Sequence, residues 1–280
     1  MILVTGVNGQ LGFDIIRQLN KRNIKCLGVG RKEFDITDKH AVYEYINKLK
    51  PECVIHCAAY TAVDNAEDEA DKCNEVNIYG TENIAEACKK IDSKMIYIST
   101  DYVFDGKGQM PFEVDGKINP QSVYGKSKYE GELMVIKNLT KYFIVRVSWV
   151  FGINGNNFVK TMLKLGKKNN SINVVSDQIG SPTYTVDLAI LLCDMALSER
   201  YGIYNATNEG YCSWAQFAEE IMKQSNLDCK INPIPTSQYP TKAVRPFNSR
   251  MSKKQLEKNG FGKLPEWKDA LKRYFEEIRG

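Results

Sequence analysis

Short, almost uninterrupted apolar runs recur along the first half of the chain: MILVT (1–5), KCLGVG (25–30), ECVIHCAA (52–59), SKMIYIST (93–100) and YFIVRVSW (142–149). Between them lie longer stretches whose apolar positions repeat at three and four residues, the spacing of one helix face. Strands that are apolar at consecutive positions are buried on both faces, as in a parallel sheet covered by helices on either side. The pattern predicts a doubly wound parallel sheet, an α/β fold of the Rossmann type. After Trp149 the rhythm loosens into a helix over 158–168, a strand over 172–176, a helix over 186–197 and a strand over 202–207, which read as a continuation of the sheet. Beyond Asn208 come a helix over 215–223, a proline-bearing segment over 231–246 and an amphipathic helix over 267–278. The chain is expected to divide into a dinucleotide-binding domain of residues 1–150 and 171–207 and a smaller domain of residues 151–170 and 208–280. No internal repeat or low-complexity linker interrupts it.

Composition narrows the class. Of the 280 residues, 43% are hydrophobic and 26% charged, ordinary values for a folded domain that is neither disordered nor membrane-embedded. A net charge of +4 is too small to argue for nucleic acid; it suits an anionic small molecule and, equally, a mixed solvated surface. The eight cysteines include no CxxC pair, and several sit in apolar runs where free thiols pack as small hydrophobes, as in a reducing cytoplasm. No apolar stretch approaches membrane-spanning length and the first strand follows no basic leader, so neither membrane insertion nor secretion is expected. With only His40 and His56 present, a Ser-His-Asp hydrolase is hard to build, and no metal-binding spacing stands out.

The first stretch with chemistry in it is VTGVNGQLG (4–12). Its glycines, Gly6, Gly9 and Gly12, follow a strand and open a helix over 11–20, where backbone N–H groups can face a pyrophosphate; Gln10 and Leu11 lie between them. The spacing is GxxGxxG, similar to the short-chain dehydrogenase/reductase superfamily, whose glycine roles it implies here. The second strand ends Gly30-Arg31-Lys32, without the acid that a strict NAD reader carries. Arg31 and Lys32 suit a ribose 2'-phosphate and hence NADPH, but a solvated pair of cations reads equally well, so NADPH and NADH both stay open. Asp35 and Ile36 resemble the adenine contact of the extended short-chain enzymes. At the end of the third strand, small residues Ala58 and Ala59, followed by Tyr60, let a cofactor approach closely.

Tyr124 and Lys128, in SVYGKSKYEG, stand four residues apart at the start of a predicted helix, on one face. A nearby ammonium favours phenolate and should draw the Tyr124 pKa down towards the range useful for proton transfer. Thr100 ends a predicted parallel strand, where ligands of open α/β sheets gather, and its hydroxyl suits a carbonyl oxygen.

Taken in order, GVNGQLG, HCAAYTAVDNAE, STDYVFDG, YGKSKYEGE, RVSWVFG, DQIGSPTYT and RPFNSRM resemble the RmlD type of extended short-chain reductase, the dTDP-4-dehydrorhamnose reductase family, over about residues 1–255. The resemblance implies reduction of the C4 ketone of a dTDP-4-dehydro-6-deoxy sugar, with Thr100, Tyr124 and Lys128 as the catalytic triad. It also implies that Val103, Phe104 and Trp149 border the sugar, and that Asn157, Gln178, Arg245 and Arg250 contact the nucleotide half of the substrate. Related 4,6-dehydratases carry an acid pair directly after the Thr, whereas here Asp101 is followed by Tyr102, which disfavours dehydration. Some reductases of this type pair through a magnesium site; Asp14 and Asp187 are the only acids to nominate, the match is poor, and no metal is expected. A homodimer is compatible with the resemblance. Two rivals remain: an enzyme acting on another nucleotide-4-keto sugar, and a non-catalytic dinucleotide-binding subunit like the β subunit of methionine adenosyltransferase, against which the intact triad argues.

Overall fold

The computed structural model describes residues 1–279. Each apolar run of the first half forms a strand: β1 (Ile2–Thr5), β2 (Cys26–Val29), β3 (Cys53–His56), β4 (Lys94–Thr100) and β5 (Tyr142–Val147). With the strand Gly202–Asn205 they make a parallel sheet of six among the described residues, in the order Gly202–Asn205, β5, β4, β3, β1, β2. Alternate side chains feed two cores. Ile2, Val4, Ile55 and Val145 pack against Ile15 and Leu19 of α1 (Gln10–Lys21) and Leu188 and Leu192 of the helix Thr185–Ala196. Leu3, Val54, Met95 and Ile144 face the other way, onto Val42 and Ile46 of α2 (Lys39–Leu49), Ile84 of the helix Gly80–Lys90 and Val135 of the helix Val123–Asn138. Because β1 lies between β2 and β3, the strand order reverses there, and a crevice opens outside their carboxyl ends.

The strand near 172–176 forms, as Ser171–Val175, but it does not extend this sheet. It pairs in parallel with Lys230–Ile234, which runs into the start of the proline-bearing segment. The reason lies in its pattern: Ser171 and Asn173 are exposed while Val174 and Val175 are buried, whereas β1 and β3 are buried at all four positions. Such a strand suits a sheet with one wet face. Pro233 is tolerated because a two-stranded ribbon leaves each strand an edge where a missing N–H costs no ladder bond. Val174 and Ile231 join a separate core with Phe151, Met162, Phe217, Ile221, Trp267 and Tyr274. Among the described residues, no helix is long and apolar enough to cross a membrane.

Arginines tie this separate core to the sheet. Asp187, buried in the first turn of the helix Thr185–Ala196, accepts both terminal nitrogens of Arg273 at 2.6 and 2.7 Å and the Asn208 side-chain amide at 2.7 Å. Asp14 on α1 accepts from Thr185 Oγ1 at 2.5 Å and from Arg17 at 2.9 Å, and Arg17 also pairs with Glu277. The oxygens of Asp14 and Asp187 are thus committed to arginine and hydroxyl donors rather than gathered around a cation site, and no group of three or more His, Cys, Asp or Glu among the described residues could hold a metal ion. Arg273→Ala leaves Asp187 buried without its cation, and should destabilise the protein by about 3 kcal/mol; urea unfolding monitored by tryptophan fluorescence checks this, and an unchanged midpoint would refute it.

Candidate active site

A cavity of about 1430 Å³ opens at the carboxyl end of the sheet, larger than the roughly 300–1,000 Å³ of a pocket for one small ligand. One end is the glycine turn: Gly6, Gly9, Gln10, Leu11 and Gly12 all line it. Gly6 has φ +68°, and a Cβ there would lie 2.7 Å from the Ala58 nitrogen; one on Gly12 would lie 2.5 Å from the Gly6 carbonyl oxygen. Only glycine permits these approaches. The cap residue of α1 is Gly9, with no side-chain cap bond, so the first-turn N–H groups are left to an anionic ligand. Asn157 does not line the cavity; it caps the helix Phe158–Gly166 and donates to Gln10 Oε1 at 2.9 Å, holding that side chain from behind.

Arg31, Asp35 and Ile36 line the cavity beyond β2. Arg31 is largely exposed and its Nε donates to Asp35 at 3.0 Å. Hydrogen bonds from Thr37, with help from Arg31, hold the Asp35 carboxyl below its ordinary range despite some burial. Lys32 is exposed and does not line the cavity. On the opposite wall come Ala58, Ala59 and Tyr60. The Tyr60 backbone is gripped at both ends by the Asn77 side chain, whose oxygen accepts at 2.8 Å and whose nitrogen donates at 3.1 Å. Asn77 sits in a widened π-turn, Glu75–Tyr79, a rare irregularity frequent at functional sites.

Thr100, Tyr124 and Lys128 line the middle of the cavity. Thr100 is the last residue of β4; its hydroxyl donates to Asp101 at 3.1 Å and accepts from the Tyr102 N–H at 3.3 Å. Ser122 caps the helix Val123–Asn138 through a bond from the Gly125 N–H, which sets Tyr124 in its first turn and Lys128 one turn on. The electrostatics correct the expectation for Tyr124. Burial pushes its phenol up, Asp101, Tyr102 and Cys73 add to the rise, and only the Thr100 hydroxyl opposes it. The Lys128 ammonium lies 4.1 Å from the centre of the Tyr97 ring, and it is this group that gives way, lowered to about 7 by burial. Asp101 is raised to about 6 by burial, against the lowering effect of the nearby Ser249 and Thr100 hydroxyls.

Farther along lie Trp149, Gln178 and Arg245. Trp149 has φ +50°, a strained value for an aromatic residue, and stacks on Trp214 with centroids 3.6 Å apart. Gln178 donates to Thr236 Oγ1 at 3.1 Å. Arg245 reaches Asp64 at 2.6 Å and the Tyr102 hydroxyl at 3.0 Å. Besides Asn157, three expected contacts are elsewhere. Val103 and Phe104 are buried in a small core with Met251, Phe104 stacked on Phe112, because the short turn after Thr100 directs them away from the cavity. Arg250 donates to Asn248 and faces the Tyr211 ring. Asp64, Tyr102, Trp214 and Lys242 line the cavity unforeseen; Asp64 and Tyr102 stand inside motifs already singled out, while nothing local marks Trp214 or Lys242.

Comparison with known proteins places this geometry. The family described as the RmlD substrate binding domain matches residues 1–279. The dTDP-4-dehydrorhamnose reductase of Aggregatibacter actinomycetemcomitans is 41% identical over 97% of each chain. A crystal structure of a dTDP-4-dehydrorhamnose reductase from Clostridium acetobutylicum superposes with a TM-score of 0.98 at 42% identity, covering 100% of this chain and 99% of that one. A Bacillus anthracis dTDP-4-dehydrorhamnose reductase in complex with NADP gives a TM-score of 0.96 at 41% identity, covering 99% of this chain and 98% of that one.

The lowered Lys128 pKa has a measurable consequence. Unfolded, Lys128 titrates near 10.5; folded, at about 7. The unfolded chain therefore holds more protons between those values, so the ligand-free protein gains stability as pH rises through that window, and the cost of burying the charge is full below pH 7. Lys128→Met removes that cost. Its urea midpoint should exceed wild type at pH 6, with the gap closing towards pH 10; a lower midpoint at pH 6 would show that the ammonium stabilises the fold.

Proposed function

The chain belongs to the RmlD substrate-binding family, and on that footing we propose that it reduces the C4 ketone of dTDP-4-dehydro-6-deoxy-L-mannose to dTDP-L-rhamnose with NADPH or NADH. The observation that carries the reading is the convergence of Thr100, Tyr124 and Lys128 on the wall of one cavity whose far end is the glycine turn. A space of this size takes a dinucleotide and a nucleotide sugar together. Neither an epimerase nor a regulatory dinucleotide-binding subunit is favoured, because the Aggregatibacter, Clostridium and Bacillus anthracis dTDP-4-dehydrorhamnose reductases span the chain at 41–42% identity.

Bound along the glycine turn, the dinucleotide supplies the hydride that reduces C4. Tyr124, kept as a neutral phenol by burial, gives its proton to the oxygen at C4, which is the form a reduction requires. Thr100 donates a hydrogen bond to that oxygen as negative charge builds on it. Lys128 holds the nicotinamide ribose hydroxyls and, when protonated, offsets the phenolate that Tyr124 becomes. Arg245 offers its fork to the diphosphate in exchange for Asp64, and the Trp149 and Trp214 faces border the sugar nucleotide. Arg31, exposed and paired with Asp35, can exchange that carboxylate for the adenosine 2'-phosphate.

Tyr124→Phe keeps the ring and removes the proton donor. NADPH oxidation with dTDP-4-dehydrorhamnose should fall by about 10²–10⁴-fold while NADPH binding, followed by nucleotide fluorescence, is retained; near-normal turnover would sink the assignment. Arg31→Ala should raise the KM for NADPH about tenfold and leave that for NADH nearly unchanged. Equal effects on both would exclude Arg31 as the 2'-phosphate reader.

A further inference from the structure

Behind Lys128 lies a charged group that the proposed chemistry does not use. Glu132, one turn beyond Lys128 on the same helix, is fully buried. Its Oε1 accepts from Ser99 Oγ at 2.5 Å and from Arg146 Nε at 2.9 Å, and its Oε2 accepts from the second guanidinium nitrogen at 2.7 Å. Arg146, on β5 and equally buried, spends its remaining nitrogen on the Val114 carbonyl oxygen at 2.9 Å. Ser99 immediately precedes Thr100. One carboxylate thus joins the helix that carries Tyr124 and Lys128 to the strand that carries Thr100.

Resting on the reductase reading above, we propose that Glu132 is a positioning residue for proton transfer. Through Ser99 and Arg146 it fixes the register of the Tyr124–Lys128 helix face against the end of β4, and it supplies the carboxylate that Lys128 faces. The contact leaves no slack: a Cβ on Gly131 would lie 2.3 Å from the Tyr97 hydroxyl, and that hydroxyl bonds the Lys128 carbonyl oxygen at 3.2 Å. Buried ion pairs give little net stability against apolar replacements of similar volume, so stability alone is a weak reason for placing this pair here.

The groups facing Lys128 are Tyr97 from β4, His56 and Cys57 from β3 and its end, Cys73 from the helix Ala70–Asn74, and Glu132 from its own helix, with Tyr124 one turn before it on that helix. Burial keeps His56 neutral, lowered to about 3, and keeps both thiols protonated, Cys57 raised to about 12. Glu132 is the one carboxylate among them, and its charge supports protonated Lys128 against the burial that depletes it.

The test is the pH dependence of NADPH binding and of turnover between pH 6 and 9 for the full chain and for Glu132→Gln. The alkaline limb of both profiles should move to lower pH by roughly one unit, and kcat at pH 7.5 should fall about tenfold through loss of alignment. Should Glu132→Gln not fold, the double variant Glu132→Leu with Arg146→Met removes both charges with an apolar pair, and its binding profile should move in the same direction. A folded variant whose profile superposes on wild type overturns the proposal. A wild-type chain that binds NADPH but does not reduce the nucleotide sugar would instead defeat the reductase reading, and the binding profiles would still decide the role of Glu132.

Discussion

An ammonium held almost out of water, 4.1 Å from a tyrosine ring and, among the described residues, outside hydrogen-bond reach of any carboxylate, is the constraint around which the centre of this protein is arranged. Lys128 is buried on the inner face of its helix, so every neighbour bears on its charge. His56 directly behind is neutral: burial, with the charge of Lys128 adding, lowers it to about 3. Its ring meets Thr5 Oγ1 at 2.8 Å, and Thr5 in turn accepts the Ala58 N–H. The side chain that could have brought a second cation instead braces the turn that approaches Gly6. The same low-dielectric setting that depletes Lys128 of its proton keeps Tyr124 protonated. A phenol poised to give a proton and an amine poised to release one are two results of a single burial.

That burial depends on how closely the backbone layers meet. The loop after β3 passes within contact distance of the turn after β1, which is possible only because Gly6 has no side chain and a positive φ. On the other side, the helix Val123–Asn138 lies so near β4 that Gly131 has no room for a methyl group. These two close approaches fix the backbone on either side of Thr100, Tyr124 and Lys128, and a ligand laid along the cavity meets groups mounted on elements whose positions are set before it arrives.

Most of the fold was legible because the governing signal was local. Nearly uninterrupted apolar runs belong to a covered sheet, and five of them appear in order before residue 150, four as inner strands and β2 at the edge. The strand Ser171–Val175 went to a different sheet for a reason also written in its residues: the polar Ser171 and Asn173 demand a wet face. What could not be read was its partner, since Lys230–Ile234 is nearly sixty residues away and contains a proline that argues against a strand in isolation. At the site, the glycine turn, Thr100, Tyr124 and Lys128 each follow from an element boundary, and boundaries leave marks in sequence. Val103 and Phe104 failed because the side on which a short turn presents its side chains is a three-dimensional matter. Trp214 was missed because its role depends on Trp149, sixty-five residues earlier, adopting a strained backbone to meet it. The electrostatics of Tyr124 were misjudged on the same ground: spacing placed a cation near the phenol, but whether it or burial prevails is decided by how much water remains.

The separation of the sheet, with its own two cores, from the core around Phe151 and Trp267 gives the site its asymmetry. The glycine turn and the triad belong to the sheet, whose strands and helices are locked by apolar packing on both faces. Trp214, Met162 and Val174, at the end of the cavity opposite the glycine turn, belong to the separate core, and Lys242 and Arg245 sit on the strap after the strand Lys230–Ile234. The strap reaches the sheet mainly through polar bonds, Arg245 to Asp64 and Tyr102 and Lys242 to Asp68, and partly exposed ion pairs of this kind are individually weak. The reacting groups are therefore mounted on the stiffest part of the molecule and the nucleotide-facing groups on a part whose attachments a polyanionic ligand can exchange for its own. Tyr102 joins the two, since it accepts the Arg245 donor through its hydroxyl and packs edge-on against Tyr124. Whatever displaces Arg245 from Asp64 also bears, through that ring, on the proton donor.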